Sequence, residues 1–269
     1  MWVQLSKYDT SRIDDAVAFG ATTHQAVQSQ DGSFTAYSNE FNEHYHSTKD
    51  GALQESLQKH VIPALLHHRD KDELTILDIC FGLGFNTLAT LYYMRKNGIK
   101  KKLSIYSPEF DKKLISSLKE FPYPDIFTEF KDIIHALSQH AEYQDDTLHV
   151  KIYLGDAREF LAGCEKRFDI VYQDAFSPAA NPALWTQEYF KDIKRVIKED
   201  AILTTYSISL PTRLALFYNG FHIYLIDTKT CRSSTIASPT LLQNYKKIDM
   251  EHKIACNPDA KALSDKQLA

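Results

Sequence analysis

Residues 219–238 read NGFHIYLIDTKTCRSSTIAS: an Asn-Gly turn, an apolar run over 221–227, then a second β-rich run ending at Ser238. No helical segment separates the two runs, so the strands they form must lie antiparallel. Upstream, from residue 73, short apolar runs alternate instead with helical periodicity, the pattern of a parallel sheet covered by helices. LTILDI (74–79) is the first strand of this series. NTLATLYYMRKNG (86–98) follows as a helix, with Asn86 able to cap its start and Gly98 near its end. LSIYSPEF (103–110), HVKIYLGD (149–156), FDIVYQDAF (168–176) and AILTTYS (201–207) read as further strands. Helices are expected across most of 111–147, at EYFKDIKRVIKE (188–199) and around PTRLALFY (211–218).

The chain has 269 residues, 43% of them hydrophobic, enough for one principal domain with a full core. Residues 1–72 break the alternation and form an N-terminal elaboration, expected to hold two short strands or loops and a helix from near Gly51. The stretch 73–240 is the core, and 241–269 a polar tail. Thirty-one basic against 35 acidic residues give a net charge of -4, so a polyanionic partner would have to meet a local patch. Cys80, Cys164, Cys231 and Cys256 are far apart, with no zinc spacing, and a reduced, metal-free, cytoplasmic protein is expected. MWVQLSKYDTSRIDDAV (1–17) lacks the apolar core of a signal peptide, and no segment has the length of a membrane span. The pair His44 and His46 lacks acidic or cysteine partners and reads as ordinary polar surface.

An alternating sheet closed by a terminal hairpin resembles the class I methyltransferase fold, a Rossmann-like α/β architecture with a mostly parallel seven-stranded sheet, which binds S-adenosylmethionine. In that topology FGLGFN (81–86) sits where the first strand turns into the first helix, and Gly82 and Gly84 allow close backbone approach by an adenosyl ligand. Taken alone, a GxG is more often a tight turn. Glu109 ends the second strand, where a carboxylate can accept both ribose hydroxyl protons, with Asp111 the near alternative. Asp156, or the amide of Ala157 beside it, is suited to the adenine amino group; otherwise Asp156 caps the helix at AREFL. Asp174 leaves the fourth strand at the edge of this pocket. A carboxylate there can accept an amine hydrogen, orient the nitrogen lone pair and stabilise the ammonium that forms. Phe176 or Trp185 can stack on a planar base, unless the loop is only a rigid turn with Trp185 in the core.

DAFSPAANPALWT (174–186), FGLGFN, YHSTKDGALQES (45–56), NGF (219–221) and KTCRSSTIA (229–237) together resemble the methyltransferase half of the bifunctional tRNA wobble-uridine enzyme MnmC and its stand-alone relatives. The resemblance implies transfer of a methyl group to the exocyclic amine of 5-aminomethyl-2-thiouridine in tRNA. It implies Asp174 as the catalytic group, a donor site including Phe81, Gly82, Gly84 and Asn86, and a stretch bearing Ser47, Gly51 and Glu55 folded over the donor. Phe176, Pro178 and Trp185 are expected to contact the acceptor, and Arg232 is a further cationic candidate toward tRNA phosphates. Cys80 stands where many such loops carry their first glycine. No flavin fingerprint follows, so a separate enzyme is expected to supply the aminomethyl substrate. Lys191, Lys194, Arg195 and Lys198 recur at helical spacing and are expected to meet anticodon-arm phosphates from one helix face. Lys229, Arg213 and KNGIKKK (96–102) are further cationic candidates. The rival readings are an aminopropyl transferase of the spermidine synthase type and a non-catalytic tRNA-binding module.

Overall fold

A computed structural model describes residues 19, 24–228 and 230–268. The segment 1–17 and Lys229 therefore lie outside the described residues. The chain opens with β1 (His24–Gln28), β2 (Phe34–Ser38) and β3 (Glu43–His44), a three-stranded antiparallel sheet. A continuous helix, α1, covers 52–67 and contains a π-helical stretch, Ser56–Val61. Then come β4 (Glu73–Ile79), α2 (Phe85–Lys96), β5 (Lys102–Glu109), α3 (Lys112–Ser117), α4 (Lys131–His140), β6 (Glu142–Gln144) and β7 (Leu148–Leu154). Further on are α5 (Ala157–Ala162), β8 (Phe168–Gln173), α6 (Gln187–Val196), β9 (Ile197–Thr205), α7 (Leu210–Tyr218), β10 (His222–Ile226), β11 (Ser234–Ser238), β12 (Lys246–Lys247) and α8 (Met250–Cys256).

The main sheet has nine strands in the order β12-β10-β11-β9-β8-β4-β5-β7-β6. Its seven central strands are those expected, with β4, β5, β7, β8 and β9 parallel and β11 antiparallel to β9. The short edge strands β6 and β12, which the sequence did not announce, extend it by one on each side. The chain moves outward from β4 in opposite directions, to β5 and β7 on one side and to β8 and β9 on the other. This reversal opens a crevice at the carboxyl ends of β4 and β8, where open α/β sheets bind ligands.

Alternating side chains of the parallel strands feed two apolar layers, because successive residues of a strand point to opposite faces. Ile76, Ile170, Tyr172 and Ile202 pack with helices α1, α2 and α4 on one side; Leu77, Ile79, Val171 and Leu203 pack with α5, α6 and α7 on the other. Helix α6 ends at Val196, two residues before Lys198, so the amphipathic run crosses into β9 instead of continuing as helix. At this lower edge of the sheet the buried Asp169 carboxylate accepts from Lys71 (2.6 Å), Lys198 (2.8 Å) and the Thr75 N–H (2.8 Å). Burial pushes the Asp169 pKa up, but Lys198 and Lys71 outweigh it and hold the group below its ordinary value.

Asp169→Ala should cost about 2–3 kcal/mol, less than a fully buried pair because both lysines are partly solvated. Wild-type stability contributed by Asp169 should be complete above the unfolded carboxyl's pKa of about 3.9 and lost as pH falls through the lower folded value. Urea titrations of both proteins at several pH values measure this; equal midpoints at neutral pH would refute it.

Candidate active site

The turn after β4 takes three left-handed residues in quick succession: Cys80 (φ 63°), Gly82 (φ 54°) and Gly84 (φ 73°). Cys80 keeps the conformation that glycine adopts most easily, at the cost of backbone strain for a side chain. A Cβ on Gly82 would stand 3.0 Å from the Tyr45 ring, and one on Gly84 2.7 Å from Phe81. Phe81 itself is buried in the core cluster. Gly84, not Asn86, occupies the cap position of α2. Asn86 is the second residue of the helix, buried, and donates its amide to Asp174 Oδ2 at 2.8 Å and to Asp78 Oδ1 at 3.4 Å.

Asp174 follows β8 directly and has a side chain 11% exposed. Burial raises its pKa, but the neighbouring imidazole of His60, 3.5 Å away, together with His46 and the Asn86 amide, brings it well below the ordinary carboxylate range. Asp78 behaves oppositely. Burial pushes it up to about 8, against a hydrogen bond from Thr87 and with the charge of Asp174 adding to the rise. Two carboxyl groups joined by one amide are therefore in different states at neutral pH, Asp78 protonated and Asp174 ionised.

Glu109 and Asp111 are separated by their partners. The buried Glu109 carboxylate accepts from the N–H groups of Gly82 and Asp111, both at 2.8 Å, which ties the end of β5 to the glycine turn. Burial nonetheless leaves its pKa raised. Asp111 is committed elsewhere: it caps α3 through Leu114 N–H and pairs with His24 Nε2 at 2.8 Å. Asp156 is exposed and caps α5, accepting from the Arg158 and Glu159 amides; Ala157 is buried as the first residue of that helix.

The N-terminal elaboration closes over the ends of these strands. Gly51, with φ 85°, turns the chain into α1 where a Cβ would fall 1.9 Å from the Asp31 carboxyl carbon. Glu55 accepts from the Ser47 N–H at 2.7 Å and pairs with Lys59 at 2.5 Å; Lys59 reaches Asp50 at 3.4 Å, and Arg232 approaches Asp50 at 3.5 Å. On the other flank Glu43 accepts from the N–H and hydroxyl of Ser177 in the loop after β8. Phe41 stacks on Phe176 at 4.5 Å, and Tyr45 leans against Phe176 at 4.8 Å. Between strap and strand ends lies a cavity of about 560 Å3, lined among others by Tyr45, Ser47, Glu55, Cys80, Asp174 and Phe176. Its mouth carries Lys49 and Arg232.

Several expected contacts are elsewhere. Trp185 is 1% exposed, donates its indole N–H to the Phe176 carbonyl and packs in the core, so it offers no stacking face. Pro178 is half-buried in the loop after β8 and does not line the cavity. The proposed cationic helix face is broken up. Lys191 is exposed, Lys194 sits over the Phe221 ring, Arg195 donates to the carbonyls of Leu161 and Cys164, and Lys198 belongs to β9. The KNGIKKK run precedes β5, at the opposite edge of the sheet from Glu109, and Lys101 donates to the His68, Arg69 and Lys71 carbonyls. Arg213 is half-buried and bonds Thr235. His44 is exposed, whereas His46 is buried against Phe85 and Thr35, not polar surface. His60, Tyr45, Glu43 and Lys49 were not foreseen; the polar pair Lys59-His60 inside the apolar run of α1 was the one visible signal.

Residues 123–237 match the family described as S-adenosyl-L-methionine-dependent methyltransferase. The chain is similar to the crystal structure of MNMC2 from Aquifex aeolicus, at 31% identity and a TM-score of 0.81, over 93% of this chain and 82% of that one. It is 31% identical over 203 residues to the uncharacterized protein MJ0670 of Methanocaldococcus jannaschii, over 74% of this chain and 55% of the relative. It is also 24% identical over 213 residues to the tRNA 5-methylaminomethyl-2-thiouridine biosynthesis bifunctional protein MnmC of Leptospira interrogans, over 70% of this chain. The match spans only 31% of that bifunctional protein. Similarity over nearly the whole chain and a matching fold agree: the chain belongs to the MnmC-like family of S-adenosylmethionine-dependent methyltransferases.

Proposed function

We propose that the chain methylates the exocyclic amine of 5-aminomethyl-(2-thio)uridine at the wobble position of tRNA, giving the 5-methylaminomethyl nucleoside. The observation that carries this reading is an ionised, nearly buried Asp174 on the wall of a cavity beside the glycine turn. The chain's residues fit an adenosyl donor. In the turn after β4 Gly82 and Gly84 carry no side chain, Phe81 and Leu83 are buried in the core, and the buried Glu109 stands at the end of β5 with Asp111 engaged by His24. Glu109 is then the ribose acceptor, and the Ala157 amide region borders the adenine, with Asp156 serving α5. Ser47, Gly51 and Glu55 shape the strap over the donor; Phe81 and Asn86 hold the turn from beneath.

S-adenosylmethionine supplies a methyl group on a sulfonium. The protein aligns the acceptor nitrogen in line with that group and keeps its lone pair free. Asp174 accepts an amine hydrogen and stabilises the ammonium that forms, while Asn86 holds Oδ2 and fixes the carboxylate's orientation. Tyr45 and Phe176 border the acceptor base, and the strap excludes water, which strengthens the Asp174 interaction. Lys49 and Arg232, at the cavity mouth, meet the backbone phosphates around the wobble nucleotide in place of the α6 cations. The primary amine comes from a separate oxidative activity, because methyl transfer itself cannot generate it.

Methyl transfer to tRNA bearing 5-aminomethyluridine, compared with the same tRNA carrying unmodified uridine, tests the acceptor. Only the former offers a nucleophilic primary amine, so product should form there alone, and equal labelling of both would refute the reading. Glu109→Ala should weaken donor binding in calorimetry by about 1.5–3 kcal/mol, the worth of hydrogen bonds to a charged group; unchanged affinity would remove the ribose assignment. Asp174→Ala should keep donor affinity and lose turnover by roughly 10²- to 10⁴-fold. Asn86→Ala removes a hydrogen bond to the charged form of Asp174. The acid limb of the rate profile should therefore move to higher pH, and an unmoved limb would count against this role.

A further inference from the structure

Two half-buried aromatic rings meet over the crevice. Tyr45, from the strap, lies on the glycine turn, where its ring atoms stand 3.0 and 3.1 Å from the position of a Cβ on Gly82. Phe176 comes two residues after Asp174, in the loop that leaves β8. The ring centroids are 4.8 Å apart at 60°, and both rings line the cavity together with Asp174. Gly82 follows β4 and Asp174 follows the neighbouring β8, so the pair bridges the gap between these two strand ends. Each ring is held by a further ring: His24 packs edge-on against Tyr45 at 5.4 Å, and Phe41 stacks on Phe176 at 4.5 Å. Tyr206 lines the same cavity but follows β9, on the far side of β8 from the turn.

An aromatic face carries the negative part of a quadrupole and attracts a cation within about 6 Å, more strongly where water is excluded. Among the described residues, lysines take up such places on Tyr92, Tyr106, Tyr153 and Phe221, and none lies over Tyr45 or Phe176. A cation that meets these two rings is therefore one that a ligand brings. S-adenosylmethionine brings a positive sulfur.

We infer that Tyr45 and Phe176 recognise the sulfonium charge of the donor, and so favour S-adenosylmethionine over the neutral thioether S-adenosylhomocysteine that methyl transfer leaves behind. This rests on the reading that the donor lies across the glycine turn with the acceptor amine at Asp174. A methyl group travelling from one to the other then moves along the ring pair. The amine lone pair forms the N–C bond, the C–S bond breaks with its electron pair staying on sulfur, and the positive charge passes from sulfur to nitrogen. Dispersion contact with the rings is the same before and after, but the charge that the rings attract has left the sulfur. The product thus loses a contact that the donor had, which favours its exchange for a fresh donor.

The test compares calorimetric affinities for S-adenosylmethionine and S-adenosylhomocysteine in wild type, Tyr45→Leu and Phe176→Leu. No tRNA is present, because the same rings border the acceptor base. Leucine keeps apolar contact and removes the π face. Each substitution should weaken S-adenosylmethionine roughly 3- to 10-fold, the scale of a partly desolvated cation–ring contact, and change S-adenosylhomocysteine by less than about twofold. Asp174 also attracts the sulfonium, but it is present in every protein compared and cancels in the ratio. Equal losses for the two ligands, or no loss, overturn the inference. Since leucine can also repack this corner, a second series replaces Phe176 by its mono-, di- and trifluorinated analogues, which withdraw charge from the ring face at nearly constant shape. The logarithm of the S-adenosylmethionine affinity should fall in step with the number of fluorines while that of S-adenosylhomocysteine stays level. A level response for both overturns the inference, whether or not the protein methylates tRNA. A graded response in a protein that leaves tRNA bearing 5-aminomethyluridine unmethylated supports the sulfonium contact and sinks the tRNA reading alone.

Discussion

The Asn86 amide is the pin of this molecule. It reaches Asp174 at the end of β8 and Asp78 at the end of β4 from the first turn of α2, and so joins three elements at the point where the strand order reverses. Two buried carboxyl groups this close cannot both ionise cheaply, and the environment resolves the conflict by pushing Asp78 up and holding Asp174 down. The crevice that the sheet topology opens thus receives one negative charge at a defined place. The amide fixes the orientation of that charge, while the neighbouring His60 imidazole does more to hold Asp174 below the ordinary carboxylate range.

The N-terminal elaboration works as a strap held at both ends. On one side the chain Glu55, Lys59, Asp50 and Arg232 links it to the terminal hairpin; on the other Glu43 grips Ser177 in the loop after β8. Phe41, Tyr45 and Phe176 fill the space between with ring contacts. The π-helical stretch of α1 belongs to the same design, since it carries the adjacent residues Lys59 and His60, the first turned to the strap and the second to Asp174. Closing the cavity and setting its charge are therefore tasks of one helix.

Charge near the site follows burial and partner, not density in the sequence. The cations of α6 and β9 satisfy carbonyls, an aromatic face and the buried Asp169. They lie at the lower edge of the sheet, while Lys49 and Arg232, isolated in the sequence, share the cavity mouth. A run of like charges on a helix that also packs against a sheet has many ways to be used structurally, and here most are.

The sequence by itself determined the order of strands and helices, the antiparallel closing hairpin, the glycine turn and the strand-end placement of Glu109, Asp156 and Asp174. These are local properties: period, turn chemistry and the residue at the end of each apolar run. Only the tertiary structure decided what each polar side chain meets. Asn86 looked like a helix cap and is a bridge between carboxyls; Trp185 looked like a stacking platform and is core; Lys198 looked helical and begins a strand. His60 and Asp174 are 114 positions apart in the numbering yet 3.5 Å apart in space. Contacts of that separation depend on how α1 docks on the sheet, a sum over many packing interactions that no local pattern encodes.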